Sequence, residues 1–259
     1  MTLVQLQQQA NGTRTLVLND PDRRNAMSLE MADQFRAVID RLREDPDKRL
    51  LVLTGAGRAF SAGGDLVMLR EKAKRSESRN RADMLAFYDA FLCMLSLPIP
   101  IIAAVNGHAI GAGACLAMAC DYRVVVTPAK IGFTFTRLGL HPGMGATCLL
   151  PRIAGFAGAQ DLLLSGRVVS ATEAEELGLV NQRVTPDALT ATVEAYGAEL
   201  RAAGPLATAG LLATLRPQPT ALQQALDREA SQQAKDYASP DFQEGIAAAL
   251  AGRRAEFGP

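Results

Sequence analysis

Two short stretches hold the residues best placed for chemistry: Phe60-Ser61-Ala62-Gly63-Gly64-Asp65 and Asn106-Gly107-His108-Ala109-Ile110-Gly111-Ala112-Gly113. Each follows an apolar, strand-like run, Leu50-Leu51-Val52-Leu53 in one case and Ile101-Ile102-Ala103-Ala104-Val105 in the other. Each leads into a segment with helical spacing. A strand feeding a glycine-rich turn at a helix start leaves backbone N–H groups free beside a positive dipole end. One such turn is most simply a tight connection. Two in one chain can aim two N–H donors at a single oxygen, which is how an oxyanion hole is built.

Other reactive side chains are few. Cys93, Cys115, Cys120 and Cys148 lie in apolar surroundings with no CxxC pair, so reduced, buried thiols are expected. The two histidines form no HxH or HExxH pattern, and no metal site is expected. His141 is a candidate acid or base, because an imidazole can both give and take a proton; it also fits a hydrogen-bonded structural residue in its Pro-Gly turn. Cys115 is either a nucleophile, which needs a lowered pKa and a base, or a packing residue. Ser61 sits in no Gly-x-Ser-x-Gly elbow, which argues against a serine hydrolase.

The paired turns resemble those of the enoyl-CoA hydratase/isomerase (crotonase) family. The likeness starts at Pro21-Asp22-Arg23-Arg24-Asn25-Ala26-Met27-Ser28 and passes through both turns. It continues through Ala119-Cys120-Asp121-Tyr122-Arg123, Gly139-Leu140-His141-Pro142-Gly143 and Ala171-Thr172-Glu173-Ala174-Glu175-Glu176-Leu177-Gly178-Leu179-Val180-Asn181, and closes at Phe242-Gln243-Glu244-Gly245-Ile246. The resemblance implies an acyl-CoA thioester as substrate, with no cofactor beyond the coenzyme A it carries. It places the two oxyanion donors at the backbone of Gly64 and Ala112. It sets the adenine of coenzyme A against Ala62, Asp65 and Leu66. Arg23 and Arg24 read either as contacts for its phosphates or as solvated surface arginines. Asp65 has a second reading, as the cap of the helix that follows.

The departures from the family pattern are more informative. Hydratases of the family hold and deprotonate water with two glutamates. The first falls at Cys115, and ungapped counting between Gly132 and Gly139 puts the second at Phe135. Relatives that shift double bonds often carry an acid at the position of Gly143. All three positions lack a carboxylate. The expected activity is therefore an enolate reaction of an acyl-CoA thioester, with decarboxylation as one candidate in place of hydration. The alternative is a catalytically weak CoA-thioester-binding protein or subunit.

The elements that must position these groups suggest an α/β chain, and the resemblance implies a crotonase-like spiral of ββα units with a C-terminal helical trimerisation region. Residues 4–18 read as a strand pair turning at Asn11-Gly12. Ser28 can cap a helix with apolar positions Met31, Phe35, Val38, Ile39 and Leu42. Residues 70–83 are crowded with charge and read as a solvated helix face; the resemblance offers a mobile flap over the acyl pocket instead. Residues 84–95 return to helical spacing, 124–126 and 131–133 read as strands, and 151–164 as a helix. Ser170-x-x-Glu173 and Thr220-x-x-Gln223 have capping-box spacing, and Ser239-Pro240 starts a last helix. Gly204-Pro205 divides a core of residues 1–203 from a helical oligomerisation region, 204–259. Its stripes at Leu222/Leu226 and Phe242/Ile246 are expected to be buried partly by other subunits, in a homotrimer or a dimer of trimers.

Composition bounds the rest. Lys+Arg and Asp+Glu each number 27 in 259 residues, so no global field points to nucleic acid or an anionic membrane. No apolar run approaches the roughly 20 residues of a spanning helix. The first residues lack the basic and apolar blocks of a signal peptide, and a cytoplasmic location is expected.

Overall fold

The computed structural model describes residues 1–258. The expected hairpin is present: β1 (Val4–Gln8) pairs antiparallel with β2 (Thr13–Leu18), Val4 opposite Leu18. Ser28 caps α1 (Leu29–Glu44) by accepting from the Met31 N–H, and the five apolar positions read from the sequence are buried on one face.

One pattern then recurs three times. A strand joins a large sheet, a short strand joins a second sheet, and a helical segment follows. The first unit is β3 (Leu50–Gly55), β4 (Ala59–Ser61) and α2 (Leu66–Lys72), followed by α3 (Glu77–Leu92). The second is β5 (Ile101–Val105), β6 (His108–Ile110) and α4 (Ala112–Ala119). The third is β7 (Tyr122–Val126), β8 (Lys130–Gly132) and a 3₁₀ turn at Thr136–Leu138, which leads to α5 (Ala146–Ser165). After these come β9 (Val168–Ser170), α6 (Ala171–Glu176), β10 (Gln182–Val184), α7 (Leu189–Ala202), α8 (Pro205–Leu215), α9 (Pro219–Asp236) and α10 (Pro240–Ala251). The large sheet runs β1-β2-β3-β5-β7-β10, parallel beyond β2; the small one runs β4-β6-β8-β9. Leu50–Leu53 and all of β5 are buried, as expected of parallel strands covered on both faces.

Several boundaries differ from the sequence reading. α5 begins five residues before Pro151 and is interrupted at Gly155, whose φ of 68° and ψ of 170° are not helical. α9 starts at Pro219 rather than being capped from Thr220, because a proline at the first helical position presets the backbone and lacks only an N–H that would be unpaired there. The charged stretch is not simply a solvated face: Lys72 is buried and pairs with Asp83 at 3.1 Å, and Asp83 also meets Arg75 and Arg79. Burial lowers the Lys72 pKa, opposed by Asp83.

The C-terminal stripes also find a different cover. Leu226, Ala230, Tyr237, Phe242 and Ile246 lie in the same hydrophobic core as β3, β5 and β7, and Leu222 packs against it partly buried. α9 packs on α3 and α5, and α10 on α2 and the 3₁₀ turn. Arg216, just after α8, pairs with Asp121 at 2.6 Å and donates to the carbonyls of Leu95, Leu97 and Ile99. The chain's own core thus covers the stripes expected to meet other subunits.

One long-range contact fixes α9 against α5. Gly145, which precedes α5, has no side chain to cap it. The Glu229 carboxylate on α9 substitutes, accepting from the N–H groups of Gly145 (2.8 Å) and Thr147 (2.9 Å) and from the Thr147 hydroxyl (2.6 Å). Burial raises the Glu229 pKa, opposed by these donors. Glu229→Ala leaves the helix start uncapped and is expected to cost about 2–4 kcal/mol of stability. Thermal denaturation checks this, and a melting temperature equal to the parent's contradicts it.

Candidate active site

The two glycine turns dock on each other. An ideal Cβ built on Gly63 lies 2.5 Å from the Ile110 carbonyl oxygen and 3.3 Å from the Ala112 nitrogen, and Gly63 has a φ of +87°, so only glycine serves there without strain. A Cβ on Gly113 meets the Ser61 side chain at 2.6 Å. Ser61 is fully buried. Its hydroxyl donates to the Asn25 carbonyl (2.8 Å) and accepts from the Gly63 N–H (3.1 Å), which holds the first turn in shape. Met27 completes the clamp: its N–H donates to Gly63 O (2.7 Å) and its carbonyl accepts from Asp65 N (3.1 Å).

That clamp skips Gly64. Neither the Gly64 N–H nor the Ala112 N–H has an acceptor among the described residues. Ala112 is the first residue of α4, so its N–H lies outside the helix's own hydrogen bonds. Gly64 and Ala112 line one cavity of about 540 Å³. Its walls are mainly apolar: Leu69, Met84, Phe87, Phe135, Leu140 and Met144 among them. The size and character suit a small organic group.

Ala62, Asp65, Leu66 and Arg24 line the same cavity. The Asp65 carboxylate accepts from the Met68 N–H at 2.8 Å and so caps α2; it also meets Arg23 at 2.9 Å. Arg23 is further tied to Asp20. Exposed Arg24 pairs with no carboxylate among the described residues, and its carbonyl accepts from Ala62 N at 2.9 Å.

Two sequence candidates, Cys115 and His141, stand elsewhere. Cys115 is fully buried in α4 and does not line the cavity; burial pushes its pKa well above the ordinary thiol range, which removes the thiolate a nucleophile needs. His141 faces a separate open cleft of about 1030 Å³ between α5 and α9. Its backbone N–H donates to the Asp236 carboxylate (2.6 Å) and its ring Nδ1 lies 2.7 Å from the Pro142 carbonyl oxygen, so the structure gives it the bonded role in the turn. His108 accepts the Lys130 N–H at 3.1 Å through Nδ1. Phe135, by contrast, does line the cavity.

The sequence reading missed Tyr88, Gln233 and Tyr237, all buried and all lining the cavity. The Tyr88 hydroxyl donates to Gln233 Oε1 at 2.7 Å, and the Tyr237 hydroxyl lies 3.2 Å from the same oxygen. A signal existed: Gln233 falls between Ala230 and Tyr237 on the buried stripe of α9, where a polar side chain is out of place unless partnered. The carboxylates lining the cavity are Asp65, already engaged, and exposed Asp22.

Comparison with known proteins agrees with this architecture. The sequence model of a family described as "Enoyl-CoA hydratase/isomerase" matches residues 8–258. The chain is 41% identical over 247 residues to the Mycobacterium tuberculosis protein named "Probable enoyl-CoA hydratase EchA14", covering 90% of this chain and 92% of that one. It is 37% identical over 249 residues to the 1,2-epoxyphenylacetyl-CoA isomerase of Escherichia coli, covering 95% of each. The crystal structure of an enoyl-CoA hydratase/isomerase from Pseudoalteromonas atlantica superposes with a TM-score of 0.86 at 28% identity, over 99% of this chain and 100% of that one. With its ββα spiral and paired glycine turns, the chain belongs to the enoyl-CoA hydratase/isomerase family.

Proposed function

We propose that the protein acts on an acyl-CoA thioester, whose carbonyl oxygen is held between the N–H groups of Gly64 and Ala112. The observation that carries this reading is two unpartnered backbone donors from separate turns lining one apolar cavity. When the α-carbon of a thioester gains or loses a proton, or loses carbon dioxide, charge develops on the carbonyl oxygen. Two preorganised donors favour that charge without reorganisation. Arg24 meets coenzyme A phosphates beside Ala62, Asp65 and Leu66, and no cofactor beyond the substrate's own coenzyme A takes part.

The chemistry is an enolate reaction that draws its driving force from the substrate rather than from a protein carboxylate. Decarboxylation of a malonyl-type thioester fits: the bond to the carboxylate breaks, its electron pair becomes the enolate, carbon dioxide leaves, and a proton is then taken up at carbon. A general base must lie within hydrogen-bond reach of its proton. With Phe135 on the wall, Cys115 in the core and Gly143 without a side chain, none of the three positions supplies one. Incubation with a panel of acyl-, enoyl- and carboxyacyl-CoA thioesters, read by mass spectrometry, tests the reading. Conversion of a thioester with coenzyme A retained supports it; binding without conversion of any leaves a thioester-binding protein; binding of none contradicts it.

A trimer-based homo-oligomer is part of the same proposal, on a surface other than the one expected. Phe156 and Leu164 on α5 are 71% and 75% exposed, and Leu206, Leu211 and Leu215 on α8 are 89%, 56% and 62% exposed. Apolar side chains exposed to this degree mark association surfaces, and a closed ring buries them in every copy. Light scattering at micromolar concentration is expected to give a multiple of three chains, and a clean monomer contradicts it.

A further inference from the structure

The Tyr88–Gln233–Tyr237 cluster lines the cavity and has unused hydrogen-bonding capacity. Gln233 Nε2 donates to the His141 carbonyl at 2.7 Å, which fixes the amide and turns Oε1 toward the tyrosines. Tyr88 donates to that oxygen at 2.7 Å, and Tyr237 reaches it at 3.2 Å while also touching Met84 Sδ at 3.3 Å. The Oε1 acceptor is thereby filled. Two groups remain: the Tyr88 phenol oxygen, which accepts from nothing among the described residues, and the second N–H of Gln233, which has no acceptor there.

Both groups crowd the backbone at Gly143. An ideal Cβ on Gly143 lies 2.5 Å from the Tyr88 hydroxyl oxygen and 2.7 Å from Gln233 Nε2, so this residue has no room for a side chain while the pair holds its place. Burial pushes the Tyr88 pKa well above the usual phenol value, so the hydroxyl keeps its proton and Gln233 remains hydrogen-bonded. The unfilled pair is one acceptor beside one donor. A hydroxyl matches it, because it donates to the phenol oxygen and accepts from the amide N–H. A hydrocarbon leaves both groups unpaired in a buried site. A carboxylate offers no donor, and the cationic groups lining the cavity, Arg23 and Arg24, are both exposed.

The geometry points to Tyr88, held by Gln233, as a specificity-determining residue that takes a hydroxyl oxygen at the acyl group of the bound thioester. This rests on the acyl-CoA reading above. The oxygen has two sources of the same chemistry: a hydroxyl carried by the acyl chain, or a water held beside it.

The test measures the dissociation constants of butyryl-CoA and of 2-, 3- and 4-hydroxybutyryl-CoA by titration calorimetry, for the unmodified protein, Tyr88→Phe and Gly143→Ala. The rate of crotonyl-CoA hydration is followed alongside. Gly143→Ala displaces the pair by crowding it, and serves if Tyr88→Phe does not fold; thermal melting reports on both. If the acyl chain supplies the oxygen, one hydroxy isomer binds about 10-fold or more tighter than butyryl-CoA, and the ratio falls toward one in either variant. If water supplies it, the ratio is near one in every protein, and the slow hydration of crotonyl-CoA drops by about 10-fold or more in the variants. A ratio near one with hydration unaltered in the variants overturns this inference alone, since butyryl-CoA still binds. Failure of the unmodified protein to bind any of the thioesters overturns the acyl-CoA reading, and this inference with it.

Discussion

Crotonyl-CoA is expected to be hydrated by this protein more slowly than by a two-glutamate relative by several orders of magnitude. Adding water across an enoyl thioester requires a water that is both held and deprotonated. Positioned acid–base groups contribute roughly 10²–10⁴-fold each. In the proposed assignment one glutamate position falls at Cys115, which is fully buried, does not line the cavity and keeps its proton because burial raises its pKa. The same assignment puts the other at Phe135, which forms part of the apolar wall. Of the carboxylates that do line the cavity, Asp65 is committed to the α2 cap and Arg23, and Asp22 is exposed to solvent. Loss of the enoyl absorbance under initial-rate conditions measures the reaction. A rate equal to that of a two-glutamate hydratase means that another group has become the base and that the assignment of these positions is wrong.

The second large effect is expected from Ala112→Pro. Proline is well tolerated at the first position of a helix, because its missing N–H has no intrahelical partner and its fixed φ suits the turn. Ala112 occupies that position in α4. The substitution therefore removes one candidate donor while α4 keeps its own hydrogen bonds. Loss of a single oxyanion donor costs on the order of 10²–10³ in kcat. Ala112→Gly keeps the N–H and is expected to stay within a few-fold of the parent on the substrate that the thioester panel identifies. Parent-level turnover by a folded Ala112→Pro protein would falsify the role given to this donor.

Much of the fold was legible because local signals and global pattern agree. Asn11-Gly12 specifies a hairpin, Ser28 and Ser239 accept hydrogen bonds from N–H groups in the first turns of their helices, and continuous apolar runs such as 101–105 become central parallel strands. The paired turns were legible because glycine is needed where backbones approach closely, as Gly63 does at Ile110 and Gly113 at Ser61. What failed depended on distant partners. The apolar stripe of α9 carries no mark of what covers it, and α3 of the same chain does so. His141 lies close in sequence to cavity residues Leu140 and Met144, yet it lines the other cleft, which Leu140 borders as well. Tyr88 and Gln233 lie 145 positions apart, and only the packing of α3 on α9 brings them together. Helix cap assignment at Glu229 was hidden for the same reason: a cap supplied from another helix has no local spacing.

The central claim is that the backbone N–H groups of Gly64 and Ala112 share one substrate oxygen. The most direct measurement is a crystal structure of the protein with a non-reactive thioether or amide analogue of an acyl-CoA that retains the carbonyl. The account predicts the carbonyl oxygen at about 2.7–3.1 Å from both nitrogens, with the acyl group running toward Phe135 and Tyr88. An analogue bound with its carbonyl oxygen on neither nitrogen, or seated in the cleft beside His141, contradicts it.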